Sequence, residues 1–329
     1  MTEAVKTVET VKLRARTSPE KRKPSFFWVV VPIVVPSWSL FARYRITAET
    51  ELPVTGPFIL SPNHISEVDP LATAVGVWKL GRLPRFMAKA SLFRVPVLGW
   101  VMRGTGQIPV NRPKKRANKE VETGESSETG EVAVVANSET GPAANEQQSV
   151  KGAKKEARKE AKAGRKKRSM TKRLAKRARR LREKFKRRDP LGAAEQLIAK
   201  QGGVIVYPEG TLTRDPDLWP MRGKTGAVKL ALESGIPLYP MAHWGVQKIM
   251  PRYGKINFWG RKTLKIAIGE PLDLSRFSGK TITRELLNEA TEQLMSEITR
   301  LLEGLRGEKA PGERWNPNAH NQSEVGRFA

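Results

Sequence analysis

A histidine and an aspartate separated by four residues, His64 and Asp69, are the first pair of side chains in this chain suited to proton transfer. A neutral imidazole can take a proton from an attacking hydroxyl near neutral pH, as acyl transfer to an alcohol would require. A carboxylate on its other nitrogen would fix the tautomer and stabilise the imidazolium. On a continuous helix, residues five positions apart point about 140° away from each other. The chain must therefore turn between them, although Asp69 before Pro70 also fits a helix N-cap.

A second candidate site lies at the end of a predicted strand, where residues 207–214 read Tyr-Pro-Glu-Gly-Thr-Leu-Thr-Arg. The backbone N–H groups of such a glycine-containing turn, with cations such as Arg214 and Lys224 nearby, can hold a phosphate group. A plain β-turn with solvated charges is the structural alternative. Glu209 is less easily explained that way, because a carboxylate directly after an apolar strand costs free energy if it is buried without a partner.

Several other chemistries lack the residues they need. The chain has no Gly-x-Ser-x-Gly motif, so direct attack by the acceptor hydroxyl is favoured over a serine acyl-enzyme. The Gly-Lys-Thr at 223–225 has Leu218 where a P-loop would have its first glycine, and no dinucleotide-binding glycine motif is complete. Cysteine is absent and the histidines are only His64, His243 and His320, so neither disulfides nor a metal site is expected.

Apolar runs and helical spacing of apolar residues predict the elements that must position these side chains. The predicted strands are 56–60, 107–110, 203–207, 236–242 and 263–268. The predicted helices are 72–80, 225–234 and 283–305. Both candidate sites therefore follow the end of a strand within an α/β pattern.

The amino-terminal part of the chain is polar and then abruptly apolar. Residues 1–24 are predicted to form a disordered basic arm. Residues 25–45 form an apolar segment whose core, at about 16 residues, is shorter than the roughly 20 of a membrane span, and Pro32 and Pro36 are expected to interrupt it. We interpret this segment as an interfacial anchor with Trp28 and Trp38 at headgroup depth. A secretory signal peptide and a buried core helix are the alternatives.

The positive charge of the chain is concentrated in one segment. The 329 residues include 60 Lys and Arg against 33 Asp and Glu, a net charge of +27. Residues 151–188 carry 21 Lys and Arg against three Glu, and so supply +18 of that total. They follow a polar stretch without hydrophobic periodicity, so residues 113–190 are predicted to be a low-complexity and basic helical insertion within one domain. Residues 307–329 are predicted to be a disordered tail.

Four blocks of this sequence, in order within residues 46–270, resemble the motifs of the lysophosphatidic acid acyltransferase family. They are Asn63-His64 through Asp69 for Asn-His-x4-Asp, 106–112 for a Gly-x-Ile-x-Val-x-Arg strand, 207–211 for Phe-Pro-Glu-Gly-Thr, and 236–242 for an apolar strand with paired prolines. The resemblance implies a single glycerol-3-phosphate-acyltransferase-like α/β domain, a mixed sheet flanked by helices, formed by residues 46–112 and 191–306.

The resemblance also implies the roles of individual residues. His64 is implied as the general base and Asp69 as its orienting partner. The residues expected to bind the acceptor are Asn63, Arg112, Glu209, Gly210, Thr211, Arg214 and Lys224. The family often has an arginine after Gly-Thr, whereas this chain has Leu212, so Arg214, Arg222 or Lys224 are the cations left for the phosphate.

The implied reaction moves a fatty acyl group from acyl-CoA or acyl-carrier protein to the sn-2 hydroxyl of 1-acyl-sn-glycerol 3-phosphate. The product would be phosphatidic acid, in phospholipid biosynthesis. No metal and no cofactor besides the acyl donor is expected. The expected partners are lysophosphatidic acid or a related lipid, the donor, and an anionic membrane surface. The expected location is the cytoplasmic face of the cell membrane, with peripheral or monotopic attachment.

Two alternatives remain open from the sequence. An acyltransferase of the same fold could use another acceptor, such as glycerol 3-phosphate, a lipid-linked sugar or an ornithine lipid. A protein of another class could bind polyanions such as nucleic acid through residues 151–188. That tract has a single aromatic residue, Phe185, and so lacks stacking platforms for bases. Anionic lipid is therefore favoured, and no specific nucleic acid is expected.

Overall fold

The computed structural model describes residues 17–110, 190–199 and 202–322. All of them belong to one of the two units into which the chain divides, made of residues 1–111 and 187–329. The predicted insertion lies outside the described ranges except for Pro190, which begins a helix.

The apolar runs predicted to be strands do form strands, and most of them join one mixed sheet. In chain order the strands are β1 (Ala42–Ala48), β2 (Phe58–Pro62), β3 (Met87–Lys89), β4 (Ile108–Val110), β5 (Gly203–Ile205), β6 (Leu238–Trp244) and β7 (Lys262–Ile268). Five of them form a sheet in the order β1-β7-β6-β2-β5, in which only β6 and β7 pair antiparallel. Strands β3 and β4 form a separate parallel pair. Parallel strands are covered on both faces, which explains why β2 and β5 are buried along their whole length.

Helices cover both faces of the sheet. In chain order they are α1 (Pro19–Arg22), α2 (Phe27–Phe41), α3 (Asp69–Lys79), α4 (Pro96–Gly104), α5 (Pro190–Ala199), α6 (Gly226–Ser234) and α7 (Arg284–Arg306). Ile59 of β2 packs in one cluster with α5, α6 and α7, whereas its neighbour Leu60 packs in another with Val77 of α3. Because successive strand residues point to opposite faces, these helices lie on opposite sides of the sheet. The predicted α/β fold with a mixed sheet flanked by helices is confirmed.

The sheet places the two candidate sites beside each other. Strands β2 and β5 are parallel neighbours, with Phe58 opposite Gly203 and Leu60 opposite Ile205. Their carboxyl ends therefore lie at the same edge of the sheet. The loop with His64 follows β2, and the loop with Glu209 follows β5, so the topology brings together residues that are far apart in sequence.

The segment predicted to associate with membranes divides between a helix and the sheet. Helix α2 runs through Pro32 and Pro36, so the predicted interruption is wrong. Each proline removes one backbone hydrogen bond, but Val34 and Trp38 pack into a core cluster that holds the helix in place. Residues 42–45 belong to β1 and pair with β7, which places the end of the segment inside the domain. Within the described ranges, no helix has both the length and the apolar content needed to cross a membrane.

The two tryptophans of that segment differ in environment. Trp28 is 58% exposed, in keeping with a place at an interface. Trp38 is only 7% exposed, and its Nε1 donates a hydrogen bond to the Tyr44 hydroxyl at 2.7 Å. The prediction that Trp38 lies at headgroup depth is therefore wrong, because the inner face of α2 is packed on the domain.

Residues near both ends of the chain contact the domain where disorder was predicted. Glu20 forms ion pairs with Arg82 at 2.9 Å and with Arg85 at 2.8 Å. Arg314 pairs with Glu292 at 2.7 Å. Local composition does not reveal these partners, because each lies more than twenty residues away in sequence. The remaining parts of the predicted arm and tail, residues 1–16 and 323–329, lie outside the described ranges.

Candidate active site

The turn required between His64 and Asp69 is present. His64 Nδ1 lies 3.0 Å from Asp69 Oδ2, and the imidazole side chain is 16% exposed whereas the carboxylate is fully buried. An N–H on Nδ1 donates to the carboxylate in the tautomer that this contact favours, and Nε2 is then the nitrogen with the lone pair. The pair thus has the arrangement of a general base and its orienting carboxylate.

Asp69 also organises the backbone of the turn. Its Oδ2 accepts the N–H of Ile65 at 2.6 Å and the N–H of Ser66 at 2.7 Å. These donors precede α3, which begins at Asp69 itself with no side-chain cap. The carboxylate is therefore turned back towards His64 and does not cap the helix, which decides between the two interpretations of Asp69-Pro70.

Glu209 lies inside the site and links its two loops. Its Oε1 accepts the backbone N–H of His64 at 2.9 Å, and its Oε2 accepts that of Met221 at 3.2 Å. The N–H of Thr213 returns a bond to the His64 carbonyl at 2.7 Å. Burial raises the pKa of Glu209 to about 8 although these N–H donors oppose the shift. The partner that a buried carboxyl requires is thus the backbone of the histidine loop.

The first residue of the block at 207–211 supports the imidazole. The ring of Tyr207 stacks on that of His64 with centroids 4.3 Å apart, and Phe86 stacks on Tyr207 from further away at 6.2 Å. The Tyr207 hydroxyl lies 3.1 Å from the Thr73 hydroxyl, and burial raises its pKa well above the ordinary value. The tyrosine is therefore neutral, and it limits the rotation of the His64 ring.

Sequence reasoning assigned no role to His243, which lies behind the pair. Its Nε2 is 2.9 Å from the Asn63 carbonyl and 3.8 Å from Asp69 Oδ2. The Asn63 side chain accepts the N–H of His243 at 2.8 Å and donates to its carbonyl at 3.2 Å. Burial lowers the pKa of His243, so it is neutral and donates from Nε2. The only sequence signal was its position at the end of an apolar strand.

The residues predicted to bind phosphate differ in their exposure and in their contacts. Gly210 has φ +68°, and a Cβ there would lie 3.2 Å from Lys224 Cδ, so the exposed Lys224 side chain lies over the glycine. Thr211 is half-buried beside it. Arg214 is only 1% exposed, and its guanidinium donates to the Tyr253 hydroxyl at 2.9 Å. Arg112 lies outside the described ranges, so its predicted role stays a prediction.

A loop after β6, which sequence reasoning also missed, supports both candidate loops. Arg252 Nη1 donates to the Thr213 carbonyl at 2.6 Å and to the Asp215 carbonyl at 2.8 Å. The Ser66 hydroxyl donates to the Met250 carbonyl at 2.6 Å. This loop therefore holds the histidine loop on one side and the Glu209 loop on the other. In the parts of the chain that the structure describes, no group of His, Asp and Glu side chains is arranged to hold a metal ion.

Known proteins with similar sequences carry out one kind of chemistry. The chain is 22% identical over 216 residues to the chloroplastic 1-acyl-sn-glycerol-3-phosphate acyltransferase BAT2 of Brassica napus, covering 66% of this chain and 41% of that protein. It is 21% identical over 243 residues to the chloroplastic 1-acyl-sn-glycerol-3-phosphate acyltransferase LPAT1 of Arabidopsis thaliana, covering 73% of this chain and 47% of that protein. The chain thus spans less than half the length of these relatives.

A solved structure and a family model complete the comparison. The crystal structure of the 1-acyl-sn-glycerophosphate (LPA) acyltransferase PlsC from Thermotoga maritima aligns with a TM-score of 0.46 and 17% identity, over 87% of this chain and 83% of that one. The acyltransferase family model matches residues 43–159 and 166–244, which is more than half of the sequence and includes the His64, Asp69 and Glu209 loops. The chain therefore belongs to the acyltransferase family.

Proposed function

We propose that this chain is a glycerolipid acyltransferase that moves a fatty acyl group from a thioester donor to the sn-2 hydroxyl of 1-acyl-sn-glycerol 3-phosphate. The observation that carries the proposal is the contact of 3.0 Å between His64 Nδ1 and the buried Asp69 Oδ2, with the imidazole reaching the surface. The family match and the names of its relatives support the choice of reaction and acceptor.

The mechanism follows from the tautomer. His64 Nε2 takes the proton of the acceptor hydroxyl as its oxygen attacks the thioester carbonyl, and the buried Asp69 carboxylate stabilises the imidazolium that forms. The tetrahedral intermediate then collapses, the C–S bond breaks, and His64 returns the proton to the leaving thiolate. One ester bond forms, one thioester bond is lost, and the base ends unchanged.

The acceptor phosphate is assigned to the turn after β5. Thr211 provides a backbone N–H there, since that of Gly210 donates to the Tyr207 carbonyl at 3.1 Å, and Lys224 lies over the glycine. Arg214 is too deeply buried to reach an exposed phosphate without rearrangement, since it is 1% exposed. Leu212 stands where the family often has an arginine, so fewer cations are available to a phosphate at this turn. This difference supports the second candidate, an enzyme of the same fold with a different lipid or glycerol-phosphate acceptor.

We further propose that the enzyme works at a membrane surface, on the cytoplasmic face, with acyl-CoA or acyl-carrier protein as donor. The outer face of α2 supports attachment, because Val29, Ile33 and Leu40 are 55%, 66% and 71% exposed. Apolar side chains arranged along one face of a helix bind at the boundary between headgroups and acyl chains.

The base assignment is tested by His64→Ala, with His320→Ala as a matched control because His320 is an exposed histidine that stacks on Trp315 in the residues after α7. Turnover of labelled acyl-CoA is measured with lysophosphatidic acid, glycerol 3-phosphate and an ornithine lipid as acceptors. We expect His64→Ala to lower kcat by roughly 10²–10⁴-fold with every accepted substrate. Turnover near wild type in that variant would exclude His64 as the base, and the preferred acceptor separates the two candidate functions.

A further inference from the structure

A cleft of about 550 Å³ lies away from the catalytic pair, between the end of α2 and the free side of β1. Its lining residues are Ser39, Ala42, Arg43, Tyr44, Ile46, Lys79, Leu80 and Arg261. Strand β1 is the edge strand, three places from β2 in the sheet, so at about 4.8 Å per strand the cleft is roughly 14 Å across the sheet from the histidine loop.

The cleft is strongly cationic. The three charged residues that line it, Arg43, Lys79 and Arg261, are all basic and all exposed. The surface arginine Arg300, by contrast, pairs with Glu49 at 2.7 Å. Among residues 17–110, 190–199 and 202–322, neither Arg43, Lys79 nor Arg261 forms an ion pair with a carboxylate. Their combined field therefore attracts an external anion.

Exposed apolar side chains lie close in sequence to residues that line the cleft. Leu40, in the last turn of α2, is 71% exposed, and Trp259, two residues before Arg261, is 90% exposed. Phe258 is 63% exposed, and its ring contacts that of Phe41 with centroids 5.4 Å apart. A ligand that satisfies both surfaces has an anionic group joined to long apolar chains.

The direction of the strands relates this cleft to the active site. Strand β1 is parallel to β7, β7 is antiparallel to β6, and β6 is parallel to β2. Strand β1 therefore runs opposite to β2, and its first residues lie at the sheet edge where β2 ends. Arg43 and His64 therefore lie at the same edge of the sheet. A membrane surface that binds Arg43 would then also face His64.

We infer that the cleft formed by Arg43, Lys79 and Arg261 binds the phosphate headgroup of an anionic membrane phospholipid, with the acyl chains along Leu40 and Trp259. This docked lipid is separate from the substrate, and it orients the His64 edge towards the bilayer. The inference rests on the proposed work at a membrane surface, but it does not depend on acyl transfer. A free phosphate ion would match the cations and leave the apolar side chains uncovered.

The inference is tested with the triple variant Arg43→Gln, Lys79→Gln, Arg261→Gln. The matched control is Arg276→Gln, Lys280→Gln, Arg284→Gln, which removes the same charge from residues that follow the carboxyl end of β7, at the opposite sheet edge. Sedimentation is measured with phosphatidylcholine vesicles, with and without added phosphatidylglycerol. Since each cation near an anionic surface contributes roughly fivefold in affinity, we expect binding about a hundredfold weaker in the cleft variant and little changed in the control.

Each other outcome overturns the inference. Equal loss in both variants would mean that bulk charge alone drives binding, and no loss in the cleft variant would mean that the cleft is not a lipid site. If inorganic phosphate binds the wild type but not the cleft variant while vesicle binding is unchanged, the ligand is a free ion. If short duplex DNA binding is lost while vesicle binding is kept, the ligand is nucleic acid. Turnover on detergent-dispersed lipid should stay at the wild-type level, so failure of this site and failure of the catalytic proposal are distinguishable.

Discussion

The surroundings of His64 and the outer face of α2 differ in which side chains they bury and which they expose. Around His64, polar groups are buried and meet partners within the chain, as Asp69 and Glu209 do through the backbone N–H groups of residues 64–66 and 221. Along α2, apolar side chains such as Ile33 are left exposed. The first region has its geometry set by the chain alone, whereas the second gains its favourable free energy only from something outside the chain.

The largest expected effect compares the two tryptophans of α2, of which Trp28 is exposed and Trp38 is buried. Trp38→Ala removes a side chain that is packed in a core cluster and bonded to Tyr44, and should lower the free energy of unfolding by about 3–5 kcal/mol. Trp28→Ala, at an exposed position, should change it by less than about 0.5 kcal/mol while weakening attachment to vesicles. Denaturant unfolding and vesicle sedimentation of both variants measure the contrast.

The opposite pattern would remove the distinction between the regions. If Trp28→Ala destabilised the chain as much as Trp38→Ala, Trp28 would be packed on protein and would not belong to a surface for lipid. Unchanged sedimentation of a stable Trp28→Ala variant would place the attachment elsewhere on the chain.

The second expected effect is a pH dependence of stability that arises at Glu209. Burial raises the pKa of Glu209 from 4.5 to about 8, so between these values the folded chain holds a proton that the unfolded chain has released. The free energy of unfolding therefore falls as the pH rises through this range, by up to about 1.4 kcal/mol per pH unit, and levels off above it. Burial lowers the pKa of His243 from 6.5, which gives a loss of stability only as the pH falls below that value.

The interval from pH 6.5 to 8 thus isolates Glu209 from His243. The measurement is the difference in free energy of unfolding between the wild type and Glu209→Gln at each pH, because the amide cannot ionise. The free energy of unfolding of the wild type minus that of Glu209→Gln should decrease as the pH rises within the interval, because only the wild type loses the proton. A difference independent of pH would mean that Glu209 is ionised throughout, as an ordinary carboxylate held by its N–H donors.

Sequence reasoning was most successful where local pattern determines structure. Apolar runs identified the strands that end before His64 and before Glu209, and the required turn between His64 and Asp69 followed from the pitch of a helix. Strands β1 and β3 and helices α1, α4 and α5 were not predicted. In Ala42–Ala48 the alternation of Arg43 and Arg45 with apolar residues is short, and it follows an apolar helix that dominates the local composition.

Sequence reasoning failed where a residue's role depends on a distant partner. The place of Glu20 is set by Arg82 and Arg85, and that of His243 by Asn63, which is 180 positions away. Periodicity carries no information about such pairs. Arg214 was expected to bind the acceptor phosphate, and no local signal predicts that its side chain is buried and donates to Tyr253.

The smallest expected effect tests whether the buried polar network sets the position of the base as well as the stability of the fold. His243 donates from Nε2 to the Asn63 carbonyl at 2.9 Å, directly before His64. His243→Leu keeps the backbone bonds between residue 243 and the Asn63 side chain, but leaves that carbonyl without its donor. The loosened turn should lower kcat about tenfold, the equivalent of one lost buried hydrogen bond, with KM for both substrates unchanged.

His243→Gln has an amide that can donate to the same carbonyl, and should recover most of the activity. A merely structural role would lower the thermal stability of both variants and leave kcat of the folded fraction at the wild-type value. The rescue by glutamine, measured as kcat per folded molecule, therefore decides whether His243 is a positioning residue for His64.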